Sequence, residues 1–282
     1  MFSVVIPLYN KEKSIGNTIQ SVLNQTFQDF EIVVVNDGST DNSLQVVENI
    51  NDSRIRIINK PNGGVSSARN RGIEESNFEW IAFLDGDDLW KPNHLSVVHQ
   101  MLKSFPDKCF FSTSFSYLGN SKLSKNAKGS DVIIIEDYFK ESLNDYLVNS
   151  TTAVVNKKCF DDVGFFDINY VRGEDLDMWA RIASKYQLVK SFEITSIYRL
   201  IAENRSDISY VSVRKTFINN IDFNNIKNKY EYEYYRLHII NRIKSYIVKK
   251  EWSNLYYLLY KYNFKLLKRK IFGDCKVNCV KE

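Results

Sequence analysis

The sequence predicts an α/β fold: a mostly parallel, Rossmann-like sheet flanked by helices, followed by a helical C-terminal extension. Three observations carry this expectation. Short β-branched apolar runs alternate with segments of helical periodicity over residues 3–102. Clusters rich in Gly, Asp and Asn follow each apolar run, between it and the next helical segment. Charge and aromatic content then change abruptly near residue 210.

The elements follow in order. SVVIPL (3–8) is short, β-branched and bounded by polar residues, which reads as a buried strand. Ile15, Ile19, Val22 and Leu23 recur at helical spacing. EIVVV (31–35) is a second strand, and Leu44, Val47 and Ile50 mark the helix after it. RIRII (54–58) is a third strand, VSSARNRGIEES (65–76) a helix, and WIAFL (80–84) a fourth strand. After Pro92, Leu95, Val98 and Leu102 give another helix. Strands alternating with helices imply parallel pairing and right-handed crossovers. In such a sheet every strand-to-helix loop leaves at the carboxyl edge, where ligands bind. PLYN (7–10), NDGSTD (36–41), KPNGGVSSARN (60–70) and DGDD (85–88) are therefore expected to converge.

The overall charge of +4 hides a division. Residues 1–210 carry a net charge of −6 and residues 211–282 a net charge of +10, the latter with 14 of the 39 aromatic residues. The expected organisation is a catalytic α/β region over 1–210 and a basic, aromatic-rich helical extension over 211–282. No apolar run approaches the roughly 18 residues of a membrane span. VVIPL is too short for an export signal and is broken by Pro7. Cysteines 109, 159, 275 and 279 are scattered, which suits a reducing cytoplasm. Cys275 and Cys279 have no second pair or His beside them, which argues against zinc. GNSKLSKNAKGS (119–130) reads as a mobile loop.

FLDGDDLW (83–90) carries the most chemistry. Asp85, Asp87 and Asp88 crowd like charges at the end of an apolar run, and a hard divalent cation would offset their repulsion. Mg²⁺ or Mn²⁺ bound by few carboxylates fills its shell with substrate phosphates, so Asp87 as a ligand implies a phosphorylated substrate. Acids ahead of a helix also favour its N-terminus, and Asp88 is assigned to that capping role. No G-x-x-x-x-G-K-[ST] is present, and PLYNKEKS stands where a dinucleotide fold needs G-x-G-x-x-G. This argues against a P-loop enzyme and an NAD enzyme. Asp37 can accept hydrogen bonds from a base or ribose, or close an Asx-turn. Tyr9 can stack on a base, and Arg69 can neutralise phosphate or support a base, whereas Arg71 reads as surface. In VRGEDLDMWARIASKY (171–186), Leu176, Trp179, Ile182 and Ala183 form an apolar helix face. Glu174 and Asp175 open that helix, as capping acids or as site residues.

SVVIPLYN, NDGSTDNS, NGGVSSARNRGI, FLDGDDLW and GEDLDMWAR, in this order and at these intervals, closely resemble the family 2 glycosyltransferases, inverting enzymes of GT-A fold. The resemblance covers about residues 1–205 and is specific to the family, not to the sugar. It implies a nucleotide-sugar donor, with UDP the habit of the family, and a divalent cation, Mn²⁺ or Mg²⁺. It places Pro7 and Tyr9 in the first donor segment, Asp37 on the nucleobase and Arg69 against the donor. Asp85 and Asp87 match the Asp-x-Asp motif, with Asp87 on the metal and Asp85 nearer the ribose and metal waters. Asp175 matches the catalytic base, with Glu174 shaping the acceptor site. The implied acceptor is a glycan or lipid-linked saccharide, as in bacterial polysaccharide synthesis.

One departure stands out. Many family members carry a His shortly after a Tyr-Arg pair; here Tyr198 and Arg199 are followed by LIAENRSDIS, leaving Asn204 or Arg205 to approach the diphosphate. The missing His is the one feature favouring a decayed nucleotide-sugar-binding protein, and Asp87 and Asp175 oppose it. A carboxylate-based glycoside hydrolase would need two acids flanking a glycosidic bond and would bind oligosaccharide without nucleotide. WSNLYYLLYKYNFKLLKRKIF (252–272) has two readings: a helix on the anionic inner face of the plasma membrane, or a cap packed on the catalytic region. Nucleic acid is not an expected partner, since no recognition module appears.

Overall fold

The computed structural model describes residues 1–118, 129, 131–200, 203 and 211–262. β1 (Phe2–Leu8), β2 (Phe30–Asp37), β3 (Ile55–Lys60) and β4 (Trp80–Phe83) are the four expected strands, separated by α1 (Ile15–Leu23), α2 (Ser43–Glu48) and α3 (Val65–Glu75). They pair in parallel in the order β3-β2-β1-β4. All eight residues of β2 are buried, which is why EIVVV reads as a continuous apolar run: helices cover both faces of this half. α1 turns Ile15, Ile19 and Val22 into one core beside Phe2, Val4 and Ile32.

β5 (Leu89–Trp90), α4 (His94–Ser104), β6 (Phe110–Tyr117), β7 (Val132–Ile135), α5 (Tyr138–Ser142), β8 (Ala153–Asn156), α6 (Lys158–Val163), α7 (Glu174–Ala183) and β9 (Leu188–Tyr198) follow. The nine strands form one sheet, β3-β2-β1-β4-β8-β6-β9-β5, with β7 also on β9. The added half is mixed: β6 and β9 run parallel, whereas β4–β8, β6–β8, β5–β9 and β7–β9 are antiparallel. The parallel half was legible from pattern, and the mixed half was not. A second core lies against this half, where Phe83, Phe110, Phe160, Phe166 and Trp179 meet edge to face or stacked.

Two 3₁₀ turns (Val213–Lys215, Phe217–Asn220) lead to α8 (Lys229–Val248) and α9 (Trp252–Tyr262). They share a third core of Val213, Phe217, Ile239, Leu258 and Tyr262. Tyr170 and Leu176 join that core, and the Val171 N–H donates to the Lys215 carbonyl at 2.8 Å, so the extension packs on the segment leading into α7. No helix among the described residues is long and apolar enough to cross a membrane. The expected mobile loop, apart from Gly129, Cys275 and Cys279, Asn204 and Arg205, and the helix beyond Tyr262 all lie outside the described residues. Cys109 and Cys159 are buried free thiols.

Candidate active site

The four strand-end loops meet, and side chains hold them together. Asn10, in left-handed backbone (φ 51°), donates its N–H to Ser39 Oγ at 3.2 Å and accepts from the Thr40 N–H at 2.8 Å. The Lys11 N–H donates to Ser43 Oγ at 2.6 Å. The first loop is thereby fastened to the second. The third loop closes on the second through Asp37, which is buried and accepts N–H bonds from Gly63 at 2.9 Å and Gly64 at 2.8 Å, with Lys60 ion-paired to it. An Asx-turn is not what Asp37 makes; it gathers donors from another loop. Pro7 is the penultimate residue of β1, and its carbonyl lies so close to Gly86 that a Cβ there would sit 2.9 Å away. Gly86 is required for that approach. Tyr9 is the one exposed side chain of the expected donor set.

The three aspartates of the fourth loop have three different partners. Asp85 Oδ1 is 2.7 Å from Arg69 Nη2, and Arg69 Nη1 is 3.0 Å from Glu174 Oε1. Arg69 thus joins the acidic loop to α7, reaching Glu174 from 105 residues away in sequence. Its guanidinium is buried over the Phe166 ring, and its Nε has no hydrogen-bond partner among the described residues. Burial opposes its charge, but Asp85 and Glu174 more than restore it and raise its pKa. Asp87 Oδ2 is 2.7 Å from Lys11 Nζ. Lys11 also donates to the Glu203 carbonyl at 2.6 Å, while the Glu203 carboxylate accepts from Ser14 Oγ at 2.7 Å.

Asp88 corrects the sequence reading. α4 begins at His94, with Asn93 in the capping position, so Asp88 caps no helix. It is buried, accepting from Thr151 Oγ1 at 2.5 Å and from the Arg199 N–H at 3.0 Å. Burial first, and the neighbouring Asp85 charge second, push its carboxyl up to about 8. The Arg199 side chain turns back onto the Asp87 carbonyl and to Thr18 Oγ1 at 3.2 Å. Arg71 is at the surface as expected, paired with Glu74 and Glu75.

α7 presents Glu174 and Asp175 in its first turn. Gly173 precedes them at φ 77°, and a Cβ there would collide with the Phe217 ring of the extension. Both acids are half-buried. Burial and the Asp175 charge raise the Glu174 pKa against the pull of Arg69. Burial also raises that of Asp175, with Arg69 and the Leu176 N–H opposing. Asp175 Oδ1 accepts that N–H at 2.8 Å.

A divalent cation fits this donor set only with help from its substrate. Among the described residues no three His, Cys, Asp or Glu gather around one point. Asp87 Oδ1 and Asp85 Oδ2 accept no hydrogen bond there, leaving hard oxygen donors for an ion whose remaining shell is phosphate and water. Lys11, Lys60, Glu203 and Thr151 were missed from sequence.

The family model described as Glycosyl transferase family 2 matches residues 3–164. A UDP-Glc:alpha-D-GlcNAc-diphosphoundecaprenol beta-1,3-glucosyltransferase of Escherichia coli is 29% identical over 85% of this chain and 92% of its own. An uncharacterized glycosyltransferase of Rickettsia bellii is 33% identical over 65% of this chain, which spans 26% of that relative's length. The crystal structure of S. aureus TarS in complex with UDP-GlcNAc superposes with a TM-score of 0.72 over 94% of this chain and 81% of that one. At 20% identity the likeness is one of fold, and the nine-stranded sheet is the GT-A arrangement.

Proposed function

The chain belongs to glycosyltransferase family 2, and from that premise we propose that it is an inverting enzyme. It moves a sugar from a nucleoside diphosphate donor, UDP first among candidates, to a hydroxyl of a glycan or lipid-linked saccharide in bacterial polysaccharide synthesis. The observation that carries this reading is Arg69, bonded at once to Asp85 of the acidic loop and Glu174 of α7. Donor and acceptor chemistry need to meet within a few ångströms, and this guanidinium ties the two acidic motifs into one site.

In this reading Pro7 and Tyr9 line the nucleotide, Asp37 bonds its base and Arg69 contacts the donor. Asp87, with Asp85 beside it, holds Mn²⁺ or Mg²⁺, whose charge offsets that of the departing diphosphate. Asp175 accepts the proton of the acceptor hydroxyl as its oxygen attacks the anomeric carbon opposite the nucleotide. The new C–O bond forms as the bond to diphosphate breaks, and configuration inverts. Glu174 shapes the acceptor site. Residues 1–210 form the catalytic region, 211–282 its helical extension, and the enzyme works in the cytoplasm at the inner membrane face. The E. coli relative, named for transfer to a diphosphoundecaprenol-linked sugar, supports a lipid-linked substrate.

The alternative, nucleotide-sugar binding without transfer, is favoured by the Lys11–Asp87 pair, which already neutralises the expected metal ligand. The purified protein is to be incubated with UDP-, GDP-, CDP- and dTDP-sugars, Mn²⁺ and short lipid-linked saccharides, following nucleotide release and the anomeric configuration of product by NMR. Inverted product with one donor is expected. Donor-stabilised protein with no product from any acceptor would move the reading to the binding protein, and product of retained configuration would end the inverting mechanism.

A further inference from the structure

The extension exposes an unusual surface. Fifteen large apolar side chains are exposed among the described residues, and six of them fall within residues 247–260. Trp252, Tyr256 and Tyr260 are 51%, 68% and 87% exposed at successive spacings of four, so they share one face of α9. Leu255, Leu258 and Tyr262 on the other face are buried in the third core. Ile247 and Val248, at the end of α8 just before the corner at Lys250 (φ 57°), are exposed as well. A concentration of this kind on a surface marks an interaction site.

Its charge narrows the occupant. Residues 241–262 hold five cations, Arg242, Lys244, Lys249, Lys250 and Lys261, against one acid, Glu251. Glu251 is half-buried and accepts from Asn254 Nδ2 at 2.9 Å. Tryptophan and tyrosine have an apolar body and a polar tip, and beside lysines and bare aliphatics they match the boundary between headgroups and acyl chains. A two-fold contact between copies would bring like-charged lysines together, which disfavours self-association. A nucleic acid backbone would use the lysines and leave Ile247 and Val248 in water.

We propose that this face of the α8–α9 corner docks the protein on an anionic lipid bilayer, with the rings at the headgroup boundary and the lysines on lipid phosphates. The inference deepens the lipid-linked acceptor reading and takes its purpose from it. The extension also seats Phe217 against Gly173, at the start of the helix carrying Glu174 and Asp175, so the third core joins α9 to that helix.

The test is flotation of the full chain with vesicles of phosphatidylcholine alone or with phosphatidylglycerol, without donor or acceptor. The wild type should float with the anionic vesicles, less with neutral ones, and less again at high salt. Trp252→Ser/Tyr256→Ser/Tyr260→Ser, and separately Lys249→Glu/Lys250→Glu, should each lower partitioning on the order of tenfold with unchanged circular dichroism. Folded wild type that floats with neither vesicle would overturn the proposal. So would undiminished flotation of both variants, which would place the contact elsewhere, such as residues 263–282, or a dimer that the triple variant dissociates. Protein that floats as expected but transfers no sugar would defeat the transfer reading and leave this one standing.

Discussion

Two groups of carboxylates face the same site, and they are compensated differently. In the strand-end loops of the parallel half, Asp37 has Lys60 and Asp87 has Lys11, one lysine to each acid. At the start of α7, Glu174 and Asp175 draw on Arg69, which Asp85 also uses. Three acids around one guanidinium leave a charge deficit, and burial turns that deficit into raised pKa values at Glu174 and Asp175. A loop built to hold an anion or an ion pair needs matched charge. A group meant to take a proton works better when its charged form is undersupplied with partners.

The largest effect should come from breaking the undersupplied side. Asp175→Asn keeps the size of the side chain and removes its basicity, so transfer should fall by about 10²–10⁴-fold while donor affinity by calorimetry stays near wild type. Near-normal transfer would take Asp175 out of the base role. Removing the shared cation comes next. Arg69→Met leaves Asp85 and Glu174 without their partner in a mostly buried setting and should cost about 3 kcal/mol in urea denaturation. Glu174→Gln in the same chain should return part of that loss, and a double variant no better than Arg69→Met would show that charge deficit is not the cause.

On the matched side the effect should be smaller. Asp87→Asn should weaken Mn²⁺-dependent donor binding by about tenfold, or 1.4 kcal/mol, and leave metal-free binding of the nucleotide unchanged. Unaltered metal-dependent affinity would remove Asp87 from the cation site and strengthen the case for Lys11 as its lasting partner.

What the sequence allowed one to read follows the same division. Glu174 and Asp175 were singled out by the family resemblance, whereas Asp37, Asp85 and Asp87 stand at strand ends inside recognisable patterns, and topology alone brings those ends to one edge. Their lysines were hidden because a long flexible stem lets Lys11 reach an acid 76 residues away, and no local pattern encodes that reach. The mixed half of the sheet was hidden for another reason. FFSTSFSY looks half-polar, yet Ser112, Thr113 and Ser114 are all buried. Ser112 Oγ donates to the Leu147 carbonyl at 3.0 Å and Ser114 Oγ to that of Ser191 at 3.1 Å. Polar residues whose hydrogen bonds are met internally mimic a surface strand or loop in one dimension.

Asp88 tests the comparison at its finest grain, because it belongs to the acidic loop yet has no cation of its own. Its folded pKa of about 8 lies well above the ordinary value of 3.8. Between those values the folded state holds a proton that the unfolded chain has released, so its stabilising contribution is full below the ordinary value and is lost as pH rises through about 8. Asparagine can keep both contacts, accepting from the Arg199 N–H and donating to Thr151 Oγ1, without ever becoming charged. Asp88→Asn should therefore melt close to wild type near pH 4 and progressively above it as pH rises to about 8, with the gap constant beyond. Melting curves that stay parallel across that range would mean that Asp88 is ionised throughout and that its surroundings compensate it as fully as lysine compensates Asp37 and Asp87. The distinction between the two groups would then rest on α7 alone.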